Sequence, residues 1–253
     1  MSGFAPTDRV LVSPRHLAGA GTDPLRDALG PLIRLFGWSH THDAATGHIT
    51  LDSPRHGAFI DFTPSNPHGP WWSISHHEPY WQAQFGRHTP IEAISAFTQA
   101  LPQFLGDTRH ADRIPLSTNT LVESARLNGW HMTANAEATV FTSADGHCVL
   151  THEPHADLRW QIRHRLADDA DTAWFASATQ ATPARLVSQF FAQLASTTPV
   201  QRLFKDLPAR TRTHPDAQIT PAAGAPAEAR PAPVKATQEP AAARHPTART
   251  HRR

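Results

Sequence analysis

The chain contains one unit written twice. A duplication constrains a fold more tightly than any local pattern, since both copies must satisfy one topology. "FGWSHTH" at 36–42 parallels "NGWHMTA" at 128–134, and "LDSPRHGAFIDFTP" at 51–64 parallels "FTSADGHCVLTHEP" at 141–154. "WWSISH" at 71–76 answers to "RWQIRH" at 159–164, and "YWQAQFGRHTPIEAISAFTQAL" at 80–101 to "AWFASATQATPARLVSQFFAQL" at 173–194. The offset stays near 88–93 residues and drifts only where turns differ in length. The repeats predict a first domain over 10–105, a linker over 106–116 and a second domain over 117–204.

Each unit predicts the same element string. A short helix, "PLIRLF" (31–36) or "TLVESARLN" (120–128), ends at Gly37 or Gly129 in the C′ position. A strand follows from Trp38 or Trp130, then strands "HITLD" or "TVFTS" and "AFIDF" or "HCVLT". The last two strands are 71–76 with 80–85, and 159–165 with 173–178. A closing helix follows, for which Thr89 and Thr182 are the expected N-caps, with Pro90 and Pro183 at N1. Its apolar residues Ile94, Phe97 and Leu101 recur at helical spacing and are matched by Val187, Phe190 and Leu194. The fold class expected is α+β: two tandem repeats, each a short helix, an antiparallel β-meander of about five strands and a closing helix packed on one sheet face.

These residues resemble the SPDY domain of unknown function, found singly or in tandem in filamentous actinobacteria. The resemblance covers both units and rests on "GW", the Ser-led turn, the paired Trp strands, "TP" before the closing helix, and Pro199, Val200 and Arg202. The name-giving Ser-Pro-Asp-Tyr turn is altered in both copies. Ser53 and Pro54 are followed by Arg55 and His56, while the second copy keeps Ser143 and Asp145. The resemblance implies a scaffold and carries over no activity, cofactor or partner.

Composition changes near Ala209. From there to the end, Ala, Pro, Thr and Arg dominate, with Ile219 and Val234 the only larger aliphatics. Such a stretch buries too little surface to offset its ordering entropy, so 209–253 is expected to be a disordered basic tail. It holds eight Arg or Lys against three acidic residues, a net of +5. Of the chain's 23 basic and 22 acidic residues this leaves 15 and 19 in the body, a net of −4. A basic tail on an acidic body points to a polyanionic partner, whereas an Arg-rich, Lys-poor composition also follows from GC-rich coding. The lone Cys148 excludes an intramolecular disulfide. No apolar run approaches the roughly 18 residues that span a bilayer. The N-terminus lacks the charged-then-apolar order of a signal peptide. The expectation is a cytoplasmic protein with no membrane partner.

Comparison of the copies sorts the candidate sites. His76, His77 and Glu78 sit among tryptophans, but His77 and Glu78 become Arg165 and Leu166, as expected of a hairpin tip. Trp72, Ile74 and Trp81 recur as Trp160, Ile162 and Trp174, and each buried aromatic removes about 150–250 Å² from water. His40 and His42 alternate on a strand, with His48 across the turn, and the two imidazoles could share a divalent metal given a third ligand from Asp43 or His56. The second copy has Met132 and Ala134 there. No G-x-S-x-G, G-x-x-x-x-G-K-[ST] or G-x-G-x-x-G motif is present, and Cys148 lies within a strand.

Period-2 alternation places Phe59, Asp61, Trp71, Ser73, Gln82 and Gln84 on the sheet face away from the closing helix. Val149, Thr151, Arg159, Gln161, Arg163, Phe175 and Ser177 take that face in the second copy. Of these, Phe59, Trp71, Gln82, Gln84, Arg159, Arg163 and Phe175 form the candidate partner-binding face. Three uses remain open for it: packing against the sister unit or a protein partner, binding nucleic acid, or ordinary solvated surface. The leading expectation is a non-enzymatic binding protein with an unknown protein partner, no cofactor and no catalytic residues. Nucleic-acid binding through this face and the tail is the first alternative, and a metal-dependent enzyme at His40 and His42 the second.

Overall fold

Alternation along the strands decides the layers. Ala58, Ile60 and Phe62 on one strand, Trp72 and Ile74 on the next, and Trp81, Ala83 and Phe85 on a third are all buried. The residues between them are not, so one face of a sheet is apolar and must be covered. The computed structural model describes residues 3–21, 23–66, 69–166 and 174–222. In chain order its elements are β1 (Arg9–Ser13), α1 (Pro24–Phe36), β2 (Ser39–Asp43), β3 (His48–Asp52), β4 (Ala58–Phe62), β5 (Trp72–His77), β6 (Tyr80–Phe85) and α2 (Ile91–Phe104). There follow α3 (Leu121–Leu127), β7 (His131–Ala134), β8 (Thr139–Thr142), β9 (Cys148–His152), β10 (Trp160–His164), β11 (Trp174–Ala178), α4 (Ala184–Ala195), β12 (Val200–Leu203) and β13 (Gln218–Pro221). The fold class is α+β, as expected.

The two meanders fuse into one ten-stranded antiparallel sheet, β2-β3-β4-β5-β6-β11-β10-β9-β8-β7. They meet at β6 and β11, where Ala83 faces Ala178, Gln84 faces Ser177 and Phe85 faces Ala176. Gln84 and Ser177 hold equivalent places in the two copies, so the junction has an internal pseudo-two-fold axis. All four α-helices among the described residues pack into the core on one face of this sheet. Trp81 and Phe85 meet Phe97 of α2 edge-on, Trp130 and Phe141 meet Phe191 of α4, and Phe85 stacks on Phe190 across the junction at 5.2 Å.

The junction corrects one expectation. Thr89 and Thr182 do not cap their helices: Pro90 and Pro183 occupy the N-cap positions and make no side-chain cap bond. The Thr89 hydroxyl instead donates to the carbonyl of Phe175 at 3.2 Å, and that of Thr182 to the carbonyl of Gln82 at 3.3 Å. Both threonines are buried, and both reach a strand of the other copy. The amides of Gly86 and Thr179 reinforce the same two carbonyls at 2.8 and 2.9 Å. Gly86 is needed for the approach, since a Cβ there would stand 3.2 Å from both the ring and the carbonyl oxygen of Phe175.

The first helix begins at Pro24, not at Pro31, with Asp23 as its N-cap. Pro31 lies inside it and cannot donate to the carbonyl of Asp27. Gln99 Nε2 of α2 supplies that missing donor at 3.0 Å, which lets the helix run through the proline. Gly37 and Gly129 close their helices at φ of 71° and 72°, the left-handed conformation expected there.

A second, three-stranded sheet, β12-β1-β13, was not anticipated. It takes residues 10–13 and 200–203 out of the repeated units. It also takes 218–221 out of the segment expected to be disordered, so order extends through Ala222. The physical reason is pairing: β13 satisfies its backbone on β1 and needs only Ile219 to pack against Val10, Val12 and Val200. The rest of the expected tail, 223–253, lies outside the described residues. Arg202 of β12 fastens this sheet to the main body through Glu92 of α2, with two bonds of 2.7 and 2.8 Å, and donates to the carbonyls of Ala18 and Gly19.

Candidate functional site

The face of the ten-stranded sheet opposite the helices carries Thr41, Thr50, Phe59, Asp61, Ser73, Gln82, Gln84, Ser177, Phe175, Gln161, Arg163, Val149 and Thr151, by alternation with the buried residues. Because the copies join edge to edge, this face is not buried between them. The two threonine hydroxyls bond each other at 2.6 Å, and Gln82 Nε2 donates to Ser73 Oγ at 2.9 Å. Charge divides along the face. The first copy presents Asp61 beside His48 at 3.6 Å, whereas the second presents Arg163 and Arg165. These two, with Val149, Thr151, Glu153, Gln161, Gly146 and His147, line a groove of about 770 Å³. Arg163 donates to Gln161 Oε1 at 3.1 Å, which holds the guanidinium over the sheet.

Five of the seven expected face residues, Phe59, Gln82, Gln84, Arg163 and Phe175, therefore lie on one surface. The other two lie at strand starts. Trp71 precedes β5, packs edge-on against Phe62 of the core, and donates its indole N–H to the carbonyl of Asn66 at 3.0 Å. The Arg87 guanidinium covers its ring at 5.1 Å. Its polar atom and its ring are both engaged, so Trp71 is a rim residue and not an open stacking platform. Arg159 stands at the equivalent place before β10, beside His152, whose imidazole is held below its ordinary range by burial and by that charge.

The hairpin tip follows expectation in part. His77, Glu78 and Tyr80 are exposed, while His76 stacks flat on Trp81 at 5.9 Å. His40 and His42 lie on the exposed edge strand β2, opposite Leu51 and Ile49, and gather no third ligand among the described residues. Cys148 is fully buried and its thiol is pushed well up by desolvation, the reverse of a reactive thiolate.

The same pocket is built twice on the other side of the sheet. In the first copy Trp38, Ser53, Arg55, Gly57, His76, Pro102 and Leu105 enclose about 560 Å³. In the second copy the equivalents Trp130, Ser143, Asp145 and Ala195 recur around about 450 Å³, joined by Leu194, and His16 enters from the N-terminal segment. The serines hold the turn: Ser53 Oγ accepts from the amides of Gly57 and Ala58 at 3.0 Å, and Ser143 Oγ from that of Cys148 at 2.9 Å. His16 bonds Asp145 at 2.8 Å, and its carbonyl accepts the indole N–H of Trp174. His164, equivalent to His76, is 1% exposed and stacks on Trp174, with its ring 5.4 Å from that of His16. Neither of its nitrogens has a hydrogen-bond partner among the described residues. Burial, with the charge of His16, pushes it down to about 3.

SPDY, described as Domain of unknown function (DUF317), matches residues 52–103 and 142–200. The chain is a tandem SPDY-domain protein. The matched segments open at the Ser-led turn and run through the closing helix, so β4–β6 with α2 and β9–β11 with α4 carry the SPDY signature. No curated protein and no solved structure matches the chain. Within the matched segments the serine holds the turn, the tryptophans fill the core and the Thr-Pro pair makes the junction, while Arg202, just beyond the second segment, clamps Glu92. The sequence reading missed His16, His147, His214 and Asp216, which converge from distant segments. The one local signal was the retention of His76 as His164 at the third inward strand position.

Proposed function

We propose that this tandem SPDY protein is a non-enzymatic binding protein whose working surface is the helix-free face of the ten-stranded sheet. One observation carries the reading: a continuous sheet face spans both copies, and it ends in a groove that presents Arg163 and Arg165 among Val149, Thr151 and Gln161. Apolar, amide and guanidinium groups side by side suit a partner surface that offers an anionic group amid apolar contacts. The same two guanidiniums favour a second reading, a phosphodiester backbone lying in the groove.

The test is affinity capture from native extract with the full chain and with an Arg163→Glu, Gln84→Glu variant, each with and without nuclease. Capture lost in the variant and indifferent to nuclease supports a protein partner. Capture lost in the variant and abolished by nuclease supports the second reading, and fluorescence anisotropy with single- and double-stranded DNA should then weaken steeply with salt. A partner retained equally by the variant removes this face from consideration.

A further inference from the structure

At the end of the groove, His147 meets residues 214–216, a segment expected to belong to the tail. His147 Nε2 stands 2.8 Å from Asp216 Oδ2, and His214 Nδ1 stands 3.9 Å from the same oxygen. The two imidazoles are perpendicular with centroids 4.8 Å apart. One ligand atom from each of the three residues falls within 4.8 Å of the others, the only such convergence of three among the described residues. We propose that His147, His214 and Asp216 form a site for a divalent transition metal of the Zn2+ class.

The chemistry of the donors fits. Two imidazole nitrogens and one carboxylate oxygen are a borderline set that suits Zn2+ better than Mg2+ or Ca2+. In a tetrahedral zinc site with ligands near 2.0–2.1 Å, ligand atoms stand about 3.3–3.5 Å apart. Separations of 2.8 and 3.9 Å bracket that value and the third lies within 4.8 Å, so the side chains must draw together to close the set. The amide of Asp216 donates to His214 Nδ1 at 3.3 Å, a bond that a metal must displace to take that nitrogen's single lone pair.

The carriers of the ligands are fixed before any metal arrives. His147 follows the turn held by Ser143, and its amide donates to Asp145 Oδ1 at 3.1 Å. His214 and Asp216 lie between Thr211, whose buried hydroxyl donates to the carbonyl of Leu17 at 2.9 Å, and β13, paired to β1. Asp145 adds a second carboxylate nearby, and Asp216 also lines the pocket that holds His16, Trp130 and Ser143. Three protein ligands leave one coordination position for water or another donor. The first copy has no such site, because Gly57 stands where the second has His147. A metal here would clasp the C-terminal segment to the turn of the second SPDY domain.

The experiment uses the untagged full chain, stripped with chelator and titrated with Zn2+ by calorimetry. The parent should bind one equivalent with micromolar affinity or tighter, and its thermal midpoint should rise with Zn2+ concentration as mass action requires. His214→Ala and Asp216→Asn should each weaken that equivalent at least about tenfold and abolish the midpoint rise, while His40→Ala with His42→Ala should change neither. Co2+ in place of Zn2+ should give the intense visible bands of a tetrahedral site in the parent and not in His214→Ala. Circular dichroism identifies any variant that has lost its fold, and His147→Gln then serves as the replacement. Binding too weak to detect, or an equivalent and midpoint rise unchanged in His214→Ala and Asp216→Asn, overturns the site.

Discussion

The hydroxyl of Thr89 donates to the carbonyl of Phe175, 86 residues away on the other copy, and Thr182 makes the mirror-image bond to Gln82. The threonine of the Thr-Pro pair thus joins domains and leaves the start of its own helix uncapped. Removing one hydroxyl should therefore act on the junction. Thr89→Val and Thr182→Val should each lower unfolding free energy by about 1 kcal/mol, measured by urea denaturation. Thr89→Asn, a stronger helix cap, should also destabilise, because the site is closed to solvent and too small for an amide. A gain in stability from asparagine would return Thr89 to the role of a cap.

His164 predicts a specific pH dependence. Its folded-state value of about 3 lies below that of an unfolded histidine, near 6.5, so acid protonates the unfolded chain first. The stability tied to neutral His164 is complete above about pH 6.5. It is lost between about 6.5 and 3, at up to about 1.4 kcal/mol per pH unit. His164→Leu should flatten the fall between about pH 6.5 and 4 relative to the parent, since neither imidazole nitrogen has a partner to lose among the described residues. Below about pH 4 both proteins should still lose stability. Burial raises the Asp145 carboxyl, but its bond to His16 and that residue's charge outweigh burial and hold it well below the ordinary range. Its contribution is therefore present above its unfolded value and lost as acid reaches its folded one. Parallel pH profiles for His164→Leu and the parent would count against the buried neutral imidazole.

The clamp between the small sheet and the body should be asymmetric to mutation. Burial pushes the Glu92 carboxyl up, but Arg202 outweighs it and keeps the carboxyl ionised. Glu92→Ala leaves a guanidinium that is 4% exposed without its counter-charge, at a cost of about 3–5 kcal/mol in guanidinium denaturation. The double variant Glu92→Leu, Arg202→Met should cost less than Glu92→Ala alone, because no buried charge is then left unpaired. A double variant as damaging as the sum of its singles would show that the two residues act independently.

The periodicity of the sequence determined the repeated unit, the strands around Ile60, Ile74 and Trp81, the closing helices, and which residues turn their backs on them, because burial of alternate side chains is a local rule. Trp72 and Trp160 were legible as core for the same reason. Tertiary structure decided everything that depends on a partner distant in the chain. Pro31 sits inside a helix only because Gln99 supplies the missing donor. Thr89 spans a junction because the two sheets meet edge to edge. Residues 218–221 are a strand because β1 offers them an open edge. The helix-free face was readable from alternation, whereas the convergence of His147, His214 and Asp216 was not, since no spacing in a sequence encodes which turn a returning segment will cross.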